Sequence, residues 1–236
     1  NANTYVGNTF ANGLLVNLNN NTGSGNAITG NLFITGGNAA GGDTAGLGNA
    51  TVRNLVGQQI ADAASVTVRG GSMWDLNGFN ETITNLTFNS QGGINGGAYV
   101  QTGVGTLTLT GALTSTNLDD PRVIPTINGR LSLPGTASIV VDRVTGTRVL
   151  GTRGDFNEQV GLNLNADIVS AGTINKTGNG ALQLGGYSTQ ALTVNVNAGS
   201  VILGPSTVNS ASNYRNTQIN LNAASTILDL RGNTNM

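Results

Sequence analysis

The sequence contains few of the residues on which compact and catalytic proteins usually depend. Its 236 residues include no cysteine and no histidine, only 9% charged residues and only 4% aromatic residues. The absence of cysteine excludes disulfides and thiolate metal sites, and the absence of histidine removes the side chain that most often serves as a base near neutral pH. Because 10 basic residues nearly balance 11 acidic ones, no long-range field draws the chain to nucleic acid or to an anionic membrane.

Long apolar runs are also missing. None approaches the roughly 20 residues needed to span a bilayer, so we expect no membrane insertion of this segment. The chain begins Asn1-Ala2-Asn3, without an initiator methionine or a signal peptide. We interpret it as a mature product or as a segment of a longer chain.

Glycine and uncharged polar residues take the place of what is missing. There are 36 glycines, and most of the polarity comes from Asn, Thr, Ser and Gln, which can occupy stacked ladders and tight turns without the cost of desolvating a charge. A cysteine-free chain of this kind suits a large secreted bacterial protein that is stabilised by backbone ladders. The composition therefore favours an extracellular or cell-surface location.

A short motif recurs along the chain. Residues 102–111 and 177–186 share the pattern T-G-x-G-x-L-x-L-x-G, and a shorter copy at 129–135 lies 24 residues after the first. Two leucines two positions apart, bracketed by glycine, predict a short strand with one buried face. A unit of roughly 24 residues falls within the range of solenoids.

Many short strands with turn signals fit either an antiparallel sandwich or barrel, or a parallel β-helix. A sandwich core would normally hold more aromatic residues than 1 Trp, 5 Phe and 4 Tyr. We therefore predict an all-β fold, a parallel β-helix (solenoid) over residues 1–236 with roughly ten coils. Three prolines, at 121, 125 and 134, predict an irregular loop insertion around 113–160.

The charged residues of this insertion form the candidate interface. They are Asp119, Asp120, Arg122, Arg130, Arg143, Arg148 and Arg153. They can pair within a coil or across to a neighbouring molecule. Adjacent residues of a strand point to opposite faces, so Asp119 and Asp120 are interpreted as a solvated loop and not as a catalytic pair. We predict no enzymatic activity, no cofactor and no metal site.

Other candidate sites have structural interpretations. Asp75 and Asp229 occupy matching places in similar hexapeptides, which favours turn hydrogen bonding. Trp74 could stack on a sugar, but its place beside a core leucine favours a packed or corner position. The sequence Arg153-Gly154-Asp155, a tripeptide that some integrins bind, is interpreted as coincidental.

Three segments resemble one repeat family. Residues 3–15 resemble the N-T-Y-x-G-x-T-x-x-x-G-x-L signature of the autotransporter-associated β-strand repeat, also called the passenger-associated transport repeat. Residues 172–184 are similar to its G-x-I-x-K-T-G-x-G-x-L-x-L core, and residues 75–83 to an associated D-L-N-G-F-x-x-T-I stretch. Asn17 departs from the pattern, and 113–160 matches poorly. The resemblance implies a right-handed parallel β-helix in a long exported protein and no catalytic residues.

Three functions follow as expectations. The first is a structural segment of a fibre, stalk or surface layer, whose partners are neighbouring repeats or further copies of the chain. The alternative is an adhesin passenger that presents 113–160 to a host surface or a glycan. The third is a carbohydrate-active β-helix enzyme, which would need carboxylates from successive coils to line one groove.

Overall fold

A computed structural model describes residues 3–21, 25–35, 49–90, 98–116, 124–145, 159–188, 190–204, 214 and 216–230. These residues form nineteen β-strands and no helix. The described part of the chain accordingly contains no helix long and apolar enough to cross a membrane.

The strands form two sheets in which every described pairing is parallel. In spatial order, sheet 1 contains β1 (Thr9–Asn12), β3 (Leu32–Thr35), β5 (Ser65–Arg69), β8 (Asn85–Asn89), β10 (Ala112–Thr116), β12 (Gly135–Val141), β14 (Gly172–Thr177), β16 (Leu192–Val196) and β18 (Thr217–Leu221). Sheet 2 contains β2 (Leu15–Leu18), β4 (Thr51–Asn54), β6 (Met73–Asp75), β9 (Tyr99–Leu109), β11 (Thr126–Ser132), β13 (Val160–Ile168), β15 (Ala181–Leu184), β17 (Ser200–Leu203) and β19 (Ile227–Asp229). The short strand β7 (Glu81–Ile83) pairs with the second half of β9.

The chain alternates between the two sheets and so winds as a solenoid. Coil 1 consists of β1 and β2, coil 2 of β3 and β4, coil 3 of β5 to β7 and coil 4 of β8 and β9; each later pair of strands adds one coil, up to coil 9 with β18 and β19. The described residues thus form nine coils of a parallel β-helix, close to the predicted ten. Parallel pairing throughout these residues excludes the antiparallel alternative.

The core lies between the sheets and is built from columns of inward side chains. Alternate residues of each strand point inward, and corresponding residues of successive coils lie in register. In sheet 2 one such column consists of Val52, Trp74, Val100, Ile127, Leu164 and Leu184, all fully buried. Side chains of similar size stack on one another from coil to coil and fill the interior without the large aromatic clusters that a sandwich needs.

The strand register shows whether successive copies of the repeat motif occupy equivalent positions in successive coils. Leu131 lies beside Leu107, one coil and 24 residues earlier, as the motif predicts. Leu184, however, lies beside Leu164, which is beside Ile127 and not Leu131. Coil lengths explain the offset, because equivalent residues of successive coils are separated by as few as 19 residues (Leu182 and Val201) and as many as 37 (Asn128 and Asn165). Because the turns differ so much in length, copies of the motif in different coils do not occupy the same position along the strand.

The irregular stretch predicted over 113–160 is narrower than expected. Strands β11 and β12 lie within it and form parallel pairs with their neighbours, with a register shift between Asn128 and Arg130 in the pairing of β11 with β9. Pro125 is buried just before β11, and Pro134 lies exposed between β11 and β12. The two longer connections, 117–125 and 142–159, fall largely outside the described residues.

Candidate assembly surfaces and buried polar sites

Most of the large exposed apolar side chains of the described residues belong to the first and last coils. Strands β1 and β2 stand last in their sheets at one end, and β18 and β19 at the other. Each has a described strand neighbour on one side only, which leaves a row of backbone N–H and C=O groups facing outward. A row of this kind is a template for a further parallel strand.

At the coil 9 end, the inward columns of the core reach the surface. Leu221 lies beside Val196, and Leu228 lies beside Val201; both of these neighbours are fully buried core residues. Leu221 itself is 48% exposed, and Leu228 is only partly buried. The cross-section of the hydrophobic core is therefore open to contact at this end.

At the coil 1 end, the apolar side chains that are more than half exposed are Val6, Phe10, Leu14 and Leu15, at 89%, 61%, 70% and 58%. Phe10 points away from the core and stacks on Phe33 of coil 2, with ring centroids 4.9 Å apart. Leu15 points outward from the other sheet, and the inward Val16 of the same strand is only partly buried. Both ends thus combine an open strand edge with apolar surface.

A buried acidic cluster connects coils 1 to 3. Glu81 is fully buried and accepts hydrogen bonds from Asn54 Nδ2 at 2.6 Å, from Gln59 N at 2.8 Å and from Ile60 N at 3.2 Å. Burial raises the pKa of Glu81 from 4.5 to about 7, although the hydrogen bonds that it accepts lower it. The preceding Gln58 has a φ of 53°, which non-glycine residues rarely adopt, at the turn that presents these two amides.

The same cluster holds the single tryptophan. Trp74 Nε1 donates to Asn54 Oδ1 at 3.2 Å, and Trp74 is fully buried. The Gln59 side chain extends the cluster to coil 1, since its Oε1 accepts from Asn20 N at 2.6 Å and its Nε2 donates to Asn20 O at 3.2 Å. The packed position predicted for Trp74 is confirmed. The arrangement fastens three coils together and presents no surface to a ligand.

A buried cation occupies the core of coil 7. Lys176 lies between Ile139 and Val196 in an inward column of sheet 1 and is fully buried. Its Nζ donates to the carbonyl oxygens of Gly178 at 2.6 Å, Gly180 at 2.6 Å and Ala198 at 2.8 Å. The ammonium group therefore satisfies the turn carbonyls of two successive coils, which is a physical reason for lysine in a K-T-G-x-G sequence.

Glu81 and Lys176 were not among the candidates from the sequence. A signal for both was present, because each is separated by two positions from an isoleucine, Ile83 and Ile174, and so shares its inward face. A charged residue in phase with the apolar positions of a strand indicates a buried polar site.

The predicted interface residues are only partly described. Asp119, Asp120, Arg122, Arg148 and Arg153 lie outside the described residues, as does the Arg153-Gly154-Asp155 tripeptide. Arg130 is exposed on β11 of sheet 2, opposite Asp167 of β13 in the strand register. Arg143 is exposed just beyond the end of β12 in sheet 1. These two arginines thus belong to different sheets.

The predicted equivalence of Asp75 and Asp229 is wrong. Asp229 lies beside Ile202, and its column leads back through Gln183 and Tyr99 to Met73, two residues before Asp75. The variable turns shift the register between these coils. Asp75 does stabilise a turn, since its Oδ1 accepts from Asn77 N at 2.8 Å, and its Oδ2 accepts from Arg53 Nε at 2.8 Å.

The described residues contain no group of three or more potential metal-ligating side chains. No protein-family model, curated protein or solved structure matches the chain.

Proposed function

We propose that this chain is a structural segment of an exported bacterial fibre, stalk or surface layer, in which the solenoid is extended by further coils stacked on its ends. The observation that carries the proposal is the open core at coil 9. Leu221 is 48% exposed and Leu228 is only partly buried there, whereas their neighbours in the preceding coil, Val196 and Val201, are fully buried.

Stacking stabilises both ends in the same way as the interior. Full burial of a leucine side chain contributes about 1.5–3 kcal/mol, so covering the exposed half of Leu221 at coil 9 contributes about 1 kcal/mol. The edges of β18 and β19 gain the parallel ladder that every interior strand has. Val16 of a further coil 1, an inward residue that is only partly buried, supplies apolar surface to the contact.

The geometry of stacking gives an open assembly. Parallel stacking retains the winding direction, so the coil 9 end of one unit meets the coil 1 end of the next. Such a head-to-tail contact uses two different surfaces and does not close on itself unless the units curve into a ring. The result is a filament. The low charge, the absence of cysteine and the resemblance of residues 3–15 and 172–184 to an exported repeat support a location outside the cell.

The experiment compares two aspartate substitutions of exposed apolar residues. Leu221→Asp places a charge on the open end of coil 9, and Val104→Asp places one on coil 4, where Val104 is 83% exposed away from the ends. We expect the unmodified chain to form rods of increasing length with concentration, measured by sedimentation velocity and negative-stain electron microscopy. Leu221→Asp should raise the concentration needed for association by about tenfold, the equivalent of about 1.4 kcal/mol, while Val104→Asp should not change it.

Circular dichroism of both variants verifies that the β structure is retained. A chain that stays monomeric up to its solubility limit, or that associates equally well with Leu221→Asp, contradicts end-to-end stacking.

A further inference from the structure

The outward face of sheet 1 is a second surface that is unusually uniform. Its side chains lie in straight rows across the coils because the strands are in register. The middle row consists of Thr67, Thr87, Thr114, Val140 and Thr177 in coils 3 to 7, and it begins with the stacked Phe10 and Phe33 of coils 1 and 2. Beside it runs a row from Arg69 through Asn89 and Thr116 to Asp142. Small uncharged side chains thus cover the middle row over coils 3 to 7.

Arg69 and Asp142 are the two charged residues of these described rows. They stand in the same row on β5 and at the end of β12, three strand spacings apart. At about 4.8 Å per spacing the separation is about 14 Å, too far for an ion pair within one chain. Asp142 Oδ2 accepts from Thr116 Oγ1 at 2.6 Å, and the Arg69 guanidinium has no ion pair among the described residues.

We propose that this face binds a second copy of the chain, with the two solenoids antiparallel and related by a two-fold axis that runs along the strands between β8 and β10. This operation keeps each row in place and reverses the order of the coils. Coil 3 then faces coil 6 and coil 4 faces coil 5. Arg69 of each copy meets Asp142 of the other, and Thr87 of each copy meets Thr114 of the other.

Charge selects this arrangement over the other face-to-face dimer. A two-fold axis along the solenoid would keep the coil order and exchange the rows on either side of the middle one. Arg69 would then face the row that holds Ser65 and Asn85, without an acidic partner. The antiparallel dimer pairs both charges twice, and such complementarity fixes register and orientation more than it raises affinity.

The face is large enough for a specific contact. Eight overlapping coils extend about 36 Å, and five residues of strand extend about 17 Å. Pairing two such faces buries about 600 Å² on each copy and about 1,200 Å² in total, above the roughly 1,000 Å² expected of a biological interface. In-register rows of Thr, Ser and Asn can interdigitate closely, as the side chains of steric zippers do.

Side pairing is tested through Arg69 and Asp142 and end stacking through Leu221, so either can fail while the other holds. The pairing experiment is performed with chains that carry Leu221→Asp, at concentrations at which this substitution suppresses stacking. Sedimentation equilibrium at low salt should show a monomer–dimer equilibrium. Arg69→Asp and Asp142→Arg should each weaken dimerisation at least tenfold, and the two together, which reverse the pair, should restore it. Arg130→Asp on sheet 2 is the matched control and should have no effect.

Cysteine cross-linking decides the orientation, because the natural chain has no cysteine. A mixture of Thr87→Cys chains and Thr114→Cys chains should form a disulfide-linked dimer under mild oxidation, whereas neither variant alone should. Cross-linking of Thr87→Cys with itself would indicate the parallel dimer and overturn the proposal. Failure of the charge-reversed pair to restore association, or a monomer at all concentrations, would also overturn it.

Discussion

At the scale of single residues, the main consequence of the fold is that two charges lie inside a narrow apolar interior. Glu81 and Lys176 are both fully buried, and each is surrounded by partners from the turn of a neighbouring coil. A buried ion is stable only when its hydrogen-bonding capacity is satisfied. These two side chains therefore link successive coils through hydrogen bonds, and a change in their protonation changes the free energy of unfolding.

Glu81 should make the protein less stable as pH rises from 5 to 8. Its pKa is 4.5 in the unfolded chain and about 7 in the folded one, so the folded chain holds the proton more tightly. The stabilisation is complete below pH 4.5 and is lost as pH rises to about 7, with a total of about 2–3 kcal/mol. The chain has no histidine, so few other groups titrate in this window. Denaturant unfolding followed by Trp74 fluorescence at pH 5 and pH 8 measures the difference.

Glu81→Gln is the control for this dependence, because glutamine retains the shape and does not titrate. The variant should show a difference between pH 5 and pH 8 that is smaller by about 2 kcal/mol than that of the unmodified chain. An equal pH dependence in the two proteins would show that the carboxyl group of Glu81 titrates near its ordinary pKa when folded.

At the scale of elements, the paired glycines of the repeat motif have two different tasks. The first glycine of each full copy has a positive φ, +64° at Gly103 and +75° at Gly178, which L-residues with a side chain rarely adopt. The second lies against the backbone of the preceding coil, Gly105 at the Phe79 carbonyl and Gly180 at the Asp142 carbonyl. The T-G-x-G bracket thus combines a turn with a close approach between coils.

Gly105→Ala should therefore destabilise the protein more than Gly135→Ala. The alanine methyl group at 105 would collide with the Phe79 carbonyl oxygen, and relieving the collision moves one coil against the next, at a cost of about 3 kcal/mol. Gly135 has a φ of +74° but open space around it, so alanine there costs about 1 kcal/mol. Denaturant midpoints followed by Trp74 fluorescence measure both. Equal losses of stability in the two variants would mean that the contact between residue 105 and the Phe79 carbonyl does not add to the cost of the alanine substitution.

The sequence predicts the positions of the strands better than it predicts the register between them. Alternation around Leu107 and Leu131 indicates strands, and the 24-residue spacing places these two leucines side by side. The position of Asp229 is mispredicted because register depends on the length of every intervening turn, and turns are not periodic. Glu81 is missed because a lone acid is usually solvated, and only its phase with Ile83 indicates that it is buried.

At the scale of the whole molecule, a solenoid is quasi-one-dimensional, since each coil contacts mainly its two neighbours. Its stability is then close to a sum of coil and interface contributions, and the end coils have one interface fewer than the rest. Coil 9 is the weaker of the two ends, because its inward residues Ile219, Leu221 and Leu228 are incompletely buried. Local opening should start there.

Hydrogen exchange should therefore depend on protein concentration at the ends and not in the middle. In dilute solution we expect the amides of β18 and β19 to exchange fastest among the described strands and those of β9 and β11 slowest. If units stack end to end, increasing the protein concentration covers β18 and β19. The exchange of their amides should then slow in proportion to the ratio of associated to free ends, while the exchange rates of β9 and β11 stay unchanged. Leu221→Asp should shift this concentration dependence to concentrations about tenfold higher. Uniform slowing of every strand would instead indicate global stabilisation, and exchange at coil 9 that is independent of concentration would mean that this end does not take part in assembly.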